Sequence, residues 1–237
     1  MNHKLKLSNY FYILILSFFT LIEEAKSFPN SFHSEYHLYQ KQNFLGNVIV
    51  DFKIENNEYE IKALTKAQGI MKILGDSEIT SKGKINLKGF SPKKFKLKNK
   101  KKPKKNILAI FNLKEKKIQI NYKQQISSYL LKNNHLDILS YLYQFNFESL
   151  DKKKYNFNIV DGKRSRTYSY KKIRQEFIKT GIGNLEADVY EGEIIEKDNS
   201  KHLLWILRKP YRIPLQIEIK TKIGININQV LVETNLF

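Results

Sequence analysis

Alternation of apolar and polar residues with a period of two runs through most of this chain, and it restricts the fold to strands with one buried and one wet face. Between Gly46 and Glu55, Val48, Val50, Phe52 and Ile54 share one face while Asp51, Lys53 and Glu55 share the other. Asn56-Asn57 supplies a turn, after which Tyr59, Ile61, Ala63 and Thr65 continue the apolar face. The same signature recurs. Ile79, Ser81, Ile85 and Leu87 flank a bend at Gly83, and Ile107 to Leu113 faces Ile118 to Tyr122 across Lys114 to Lys117. Tyr155, Phe157 and Ile159 lead into Asp161-Gly162, a hairpin dipeptide. Strands follow at Leu185 to Ile195 and Leu203 to Leu207, and a last hairpin joins Leu215 to Thr221 with Ile225 to Val232, turning near Gly224. The pattern predicts a mostly β domain: one curved antiparallel sheet or incomplete β-barrel of about ten strands.

Two segments interrupt the alternation. Gly69 to Gly75 is apolar, short and bounded by glycines, which predicts one helical turn or a tight crossover. From His135 to Glu148, Leu136, Leu139 and Tyr143 interleave with Ile138, Leu142 and Phe145 as a wide apolar stripe at helical spacing. A single short helix that closes the open side of the sheet is expected there, capped by Asp137 or Ser140.

The N-terminus carries an export signature. Lys4 and Lys6 precede the apolar run Tyr10 to Ile22, and Ala25-Lys26-Ser27 has the form of a small-x-small cleavage site. Glu23 and Glu24 end the run well short of the roughly 20 apolar residues that a spanning helix needs. Residues 1–27 are therefore expected to be a cleaved signal peptide, residues 28–237 one periplasmic domain, and no membrane span is expected after cleavage. With no cysteine in the chain, disulfides, thiolate metal sites, a cysteine nucleophile and an acylated cysteine are excluded.

The formal charge is +19. Lys supplies nearly all of it, since only five cations are Arg, the residue suited to bidentate phosphate recognition. A codon-biased, solvated surface and a polyanion site both fit such a balance. The densest stretch is Lys93 to Lys105, comprising Lys93, Lys94, Lys96, Lys98, Lys100, Lys101, Lys102, Lys104 and Lys105. Phe95 and Leu97 alternate with lysines in its first part, a strand with wet lysines. Asn99 to Lys105 with Pro103 reads as a basic loop, a candidate ligand or polyanion site. For an exported chain the available polyanions are phospholipid headgroups, an anionic membrane surface or lipopolysaccharide, whereas nucleic acid is an unlikely partner.

Other chemistry is sparse. His33 and His37 have metal-ligand spacing only if helical, and their surroundings read as an extended N-terminal arm, so no metal site is assigned. No Walker, HExxH or GxSxG pattern occurs, and no cofactor or catalytic residue is implied. Glu176, Glu186, Asp188, Glu191 and Glu193 lie on neighbouring predicted strands, where surface counter-charges are the simpler reading than a glycosidase pair. Trp205 shares a strand face with Leu203 and Leu207; it is a core residue or a candidate cavity aromatic, and its indole N-H needs a partner if buried.

The order Tyr36, Gly46, Gly69, Gly83, Gly89-Phe90-Ser91-Pro92 with Phe95, Phe111-Asn112, Asp137 to Ser140, Val160-Asp161-Gly162, Gly181, Leu204-Trp205-Ile206 and Arg212-Ile213-Pro214 resembles the bacterial exported proteins grouped as domain of unknown function 3108. The resemblance implies an exported, mostly antiparallel envelope protein with no catalytic residues to carry over. The glycines and prolines of this series read as scaffold: Gly83, Gly89 and Gly162 fit bends that need positive φ, and Pro92 and Pro214 fit strand starts. A curved sheet closed by a helix can enclose an apolar cavity. The expected function is binding of a lipid or other amphiphile, or envelope support, without catalysis. The alternatives are a surface module docking through the Lys-rich loop and, third, an extracytoplasmic hydrolase.

Overall fold

A computed structural model describes residues 28–195, 198–220 and 226–237. The expected signal peptide and the turn near Gly224 lie outside the described residues. Among the described residues, fifteen strands form one sheet. The first eight are β1 (Ser31–Gln40), β2 (Asn43–Glu55), β3 (Glu58–Ala67), β4 (Ser77–Asn86), β5 (Gly89–Asn99), β6 (Ile107–Asn112), β7 (Lys117–Tyr122) and β8 (Gln125–Leu130). After them come β9 (His135–Asp137), β10 (Lys154–Val160), β11 (Ser165–Thr180), β12 (Gly183–Ile194), β13 (Asp198–Leu207), β14 (Pro214–Lys220) and β15 (Asn226–Thr234). The spatial order is β8-β7-β6-β5-β4-β3-β2-β1-β15-β14-β13-β12-β11-β10-β9. All neighbours pair antiparallel except β9 and β10, which pair parallel. The sheet is open, with β8 and β9 as its edges, so the expected single curved sheet is present with more than the expected ten strands.

The alternation does what the pleat requires. In β1 to β3, Phe32, Tyr36, Leu38, Val48, Val50, Phe52, Tyr59 and Ile61 are all buried while their neighbours point out. Asn56 and Asn57 both take positive φ, 52° and 61°, in the tight β2–β3 turn. Bulges shift the register in β1, β4, β11, β12 and β13, and each adds local twist that helps coil the sheet on itself.

Five local expectations change. The N-terminal arm is β1, which lies in the middle of the sheet between β2 and β15. Gly83 is no positive-φ bend but a residue within β4, where a Cβ would meet the Ser91 carbonyl oxygen at 2.2 Å. Pro92 sits opposite it inside β5, at the bulge. Within residues 135–148 only Ser140–Gln144 is α-helical (α1), followed by a 3-10 turn at Phe145–Phe147; His135–Asp137 is strand β9, and Leu87 is 99 % exposed in a turn.

The main core lies on the concave face, under α1. One end of it is filled by aromatic rings: Phe32 stacks on Phe52 at 4.8 Å, Phe28 meets Phe52 edge-on at 5.1 Å, and Phe90 meets Phe147 at 5.5 Å. Phe95, Ile107, Ala109, Phe111, Ile118, Ile120 and Val160 form a smaller second core under the β5–β7 wing. On the other flank the long β11–β12 hairpin reaches past the start of β14, and the Gly181 N-H donates to the Leu231 carbonyl of β15.

Candidate functional site: an apolar cavity at the hollow end of the sheet

The entry to α1 is fixed by a buried carboxylate. Asp137 Oδ1 accepts the N-H groups of Leu139 (3.0 Å) and Ser140 (3.1 Å), the capping role expected of this pair, and Oδ2 accepts the Ser81 hydroxyl of β4 at 2.5 Å. At the far end of α1, Gln144 accepts from the Phe90 N-H at 3.0 Å and donates to the Lys88 carbonyl at 2.9 Å. The Arg212 guanidinium is buried against the Phe145 ring and donates to the Phe145 carbonyl and the Tyr190 hydroxyl, both at 2.6 Å. The helix is thereby tied to both halves of the sheet.

Between α1 and the concave face lies a cavity of about 490 Å³. Val48, Val50, Ala63, Thr65 and Ile79 form one wall; Ile159, Tyr168, Ile194 and His202 form the opposite one; Ile217 and Ile219 close the back, with Leu139, Leu142 and Tyr143 as floor. This size falls within the range of small-molecule sites. Register places the cavity at one end of the sheet: its lining comes from the C-terminal ends of β3, β10, β12 and β14 and the N-terminal ends of β4, β11 and β13.

The few polar groups there are mutually satisfied. Tyr36 donates to the Pro214 carbonyl at 3.0 Å, and burial pushes both Tyr36 and the neighbouring Tyr143 hydroxyl up. His202 Nε2 lies 2.9 Å from the Tyr170 hydroxyl, and burial pushes the imidazole down to about 4, so it is uncharged at neutral pH. At the edge of the cavity Tyr168 donates to Asp161 Oδ2 at 2.7 Å, and the same oxygen lies 3.3 Å from Arg166 Nε. Burial raises the Asp161 carboxyl despite these partners. The arrangement offers an apolar sleeve with a polar collar.

The Lys-rich run splits into two parts. Lys93 sits at the filled end, 2.6 Å from Glu58. Lys94, Lys96 and Lys98 lie on β5 opposite in phase to Phe95 and Leu97, as expected of a strand with wet lysines. Lys96 is held below its usual value first by neighbouring Lys98 and then by burial. Lys100, Lys101, Lys102, Lys104 and Lys105 occupy the β5–β6 loop at the hollow end, with a 3-10 turn at Pro103–Lys105. Asn99 orders this loop by accepting from the Lys102 N-H at 2.8 Å.

Trp205 is buried but does not line the cavity. It lies in phase with Leu203 and Leu207, its N-H donates to Glu176 Oε1 at 2.6 Å, and the Arg174 guanidinium sits 5.9 Å from its ring. Glu186 pairs with Arg208, buried Asp188 with both Lys172 and Arg208, and Glu191 with Lys201, so these carboxylates serve as counter-charges to nearby cations. His33 lies 2.8 Å from Asp51, and His37 3.2 Å from Tyr39. Sequence reasoning missed Arg166, Tyr168 and His202 as cavity residues. Their inward phase in β11 and β13 was the available signal.

An open, coiled antiparallel sheet wrapped around one short helix, filled at one end and hollow at the other, defines a cavity-bearing β protein. The chain belongs to the family described as protein of unknown function (DUF3108), whose model matches residues 35–231. No curated protein matches it in sequence. Among solved structures it is similar to a Parabacteroides distasonis protein at 11 % identity and TM-score 0.38, covering 87 % of this chain and 96 % of that one. It is similar to the hypothetical lipoprotein YmcC of Escherichia coli at 9 %, TM-score 0.33, with 94 % of each chain covered. The lipoprotein LppX of Mycobacterium tuberculosis follows at 11 %, TM-score 0.32, covering 95 % of this chain and 97 % of that one.

Proposed function

We propose that this is an exported, non-enzymatic envelope protein that holds a lipid or other amphiphile in the cavity between α1 and the concave face. The cavity itself carries the reading: an apolar interior of about 490 Å³ in a domain whose other end is packed solid with aromatic rings. Burying an alkyl chain contributes roughly 0.8 kcal/mol per methylene. The Arg166, Asp161 and Tyr168 collar suits a polar headgroup at the edge. The charged, apolar and small-residue order of residues 1–27 supports export to the periplasm.

Titration of the purified protein with a fluorescent long-chain fatty acid tests the reading. Saturable binding at one site is expected, weakened at least tenfold by Ala63→Phe, which fills the wall. Thr65→Leu serves as a second variant if the first fails to fold. Absence of saturable binding by the parent, or equal binding by folded wall variants, would overturn it.

A further inference from the structure

The apolar interruption at Gly69–Ile73 forms a 3-10 turn between β3 and β4, at the hollow end of the sheet. Met71 packs inward against the main core, which anchors the turn, while Ile70, Ile73 and Leu74 are 66, 75 and 43 % exposed. A single side chain exposed to this degree is ordinary, but three from one anchored turn form a projecting apolar tip. The basic β5–β6 loop lies directly against it. Lys101 Nζ donates to the Lys72 carbonyl at 2.8 Å, Asn99 Nδ2 donates to the Leu74 carbonyl at 2.9 Å, and the Lys101 stem packs over Gly75, where a Cβ would meet it at 2.7 Å. The apolar tip is therefore fixed beside Lys100, Lys102, Lys104 and Lys105, all on the same end of the sheet as the cavity.

We propose that this end docks on an anionic phospholipid bilayer, with Ile70, Ile73 and Leu74 entering the interface and the loop lysines resting among the headgroup phosphates. Neither component suffices alone: lysines without an apolar tip would adsorb to any polyanion, and an apolar tip without lysines would not select anionic lipid. Charge complementarity and the hydrogen-bonded contact between turn and loop single out a bilayer from a soluble polyanion. Lys101 emerges as a structural residue that pins the tip, in contrast to its four loop neighbours. Docking here would bring the cavity end to the membrane, yet the proposal uses none of the cavity residues and stands independently of amphiphile binding.

Co-sedimentation of the purified protein with phosphatidylglycerol vesicles, and with phosphatidylcholine vesicles as control, tests it. Binding to the anionic vesicles alone is expected, weakening as ionic strength rises because exposed charges are screened beyond about 8 Å at physiological salt. Ile70→Ser with Ile73→Ser, and separately Lys100→Gln, Lys102→Gln, Lys104→Gln and Lys105→Gln together, should each lower that binding at least tenfold. All of these side chains are exposed except half-buried Lys102, and both sets should leave the melting temperature and fatty-acid binding in solution unchanged. The proposal is overturned if the parent ignores phosphatidylglycerol vesicles. It is equally overturned if only the lysine variant loses binding, since that result describes a polyanion surface without insertion.

Discussion

The Ser81 hydroxyl donates to Asp137 Oδ2 at 2.5 Å, joining β4 to the entry of α1 across the concave face. Tyr59 extends the link, its hydroxyl 3.0 Å from that of Ser81. Asp137→Ala would leave two backbone N-H groups and the Ser81 hydroxyl without their acceptor in a buried site, a loss of about 2 to 4 kcal/mol. Asp137→Asn keeps an acceptor for the N-H groups and should cost about 1 kcal/mol. Urea denaturation of both variants checks the difference; equal losses would show that the carboxylate charge, rather than capping, is what matters.

Acid should destabilise the fold earlier than surface carboxylates alone would. Burial lowers His202 to about 4, and lowers His135 to about 4 together with the charge of Lys132. A base depressed in the folded state binds fewer protons there than in the unfolded chain. Stability is therefore full above the unfolded value of about 6.5 and falls as pH drops toward 4, by about 3 kcal/mol for His202. His202→Gln should flatten that part of the stability curve between pH 6.5 and 4. An unchanged slope would mean that His202 takes up its proton without resistance.

Trp205 separates fold from binding. Trp205→Phe removes the hydrogen bond to Glu176 and should cost about 1 kcal/mol, while Trp205→Ala should cost about 3 to 5. Fatty-acid binding by Trp205→Phe should equal that of the parent, because this ring does not line the cavity. A tenfold weaker affinity in that variant would return Trp205 to the ligand site.

Cleavage after Ser27 should give an exported protein that begins at Phe28. That residue packs among Phe32, Phe52, Phe90 and Phe147, with ring centroids 5.1 to 6.3 Å away, so the proposed cut leaves the filled end intact. Intact-mass measurement of the exported form checks it. A mass that includes residues 1–27 would indicate a retained leader.

The strand faces were legible because burial and pleat share a period of two: Phe52, Ile61, Phe111 and Ile120 are inside, as their phase requires. β1 reads as an arm because no local signal announces its pairing with β15 about two hundred residues later, and its inward Ser34 and outward His33 and His37 blur the phase. β9 has only three residues, too few for any period to show, and β8 is an exposed edge with Ile126 67 % accessible. The cavity was foreseeable only as a consequence of curvature. An inward residue has the same pattern whether or not anything meets it from the opposite wall. The lysine loop could be read from composition, but its apolar neighbour could not, since Gly69 to Gly75 gives no sign of which of its side chains face water.

The pairing of β1 with β15 has a consequence for how the chain comes to be folded. Ser34 and Thr234 hydroxyls meet at 2.9 Å, so the middle of the sheet is a seam between the two ends of the domain. A polypeptide threaded through a secretion channel from its N-terminus cannot form that seam until residues 226–234 have crossed. Until then β1 has β2 on one side and an empty edge on the other, and such long-range closure is intrinsically slow. If the chain is exported as proposed, this architecture would keep it incomplete, and fit for threading, for the whole of its passage.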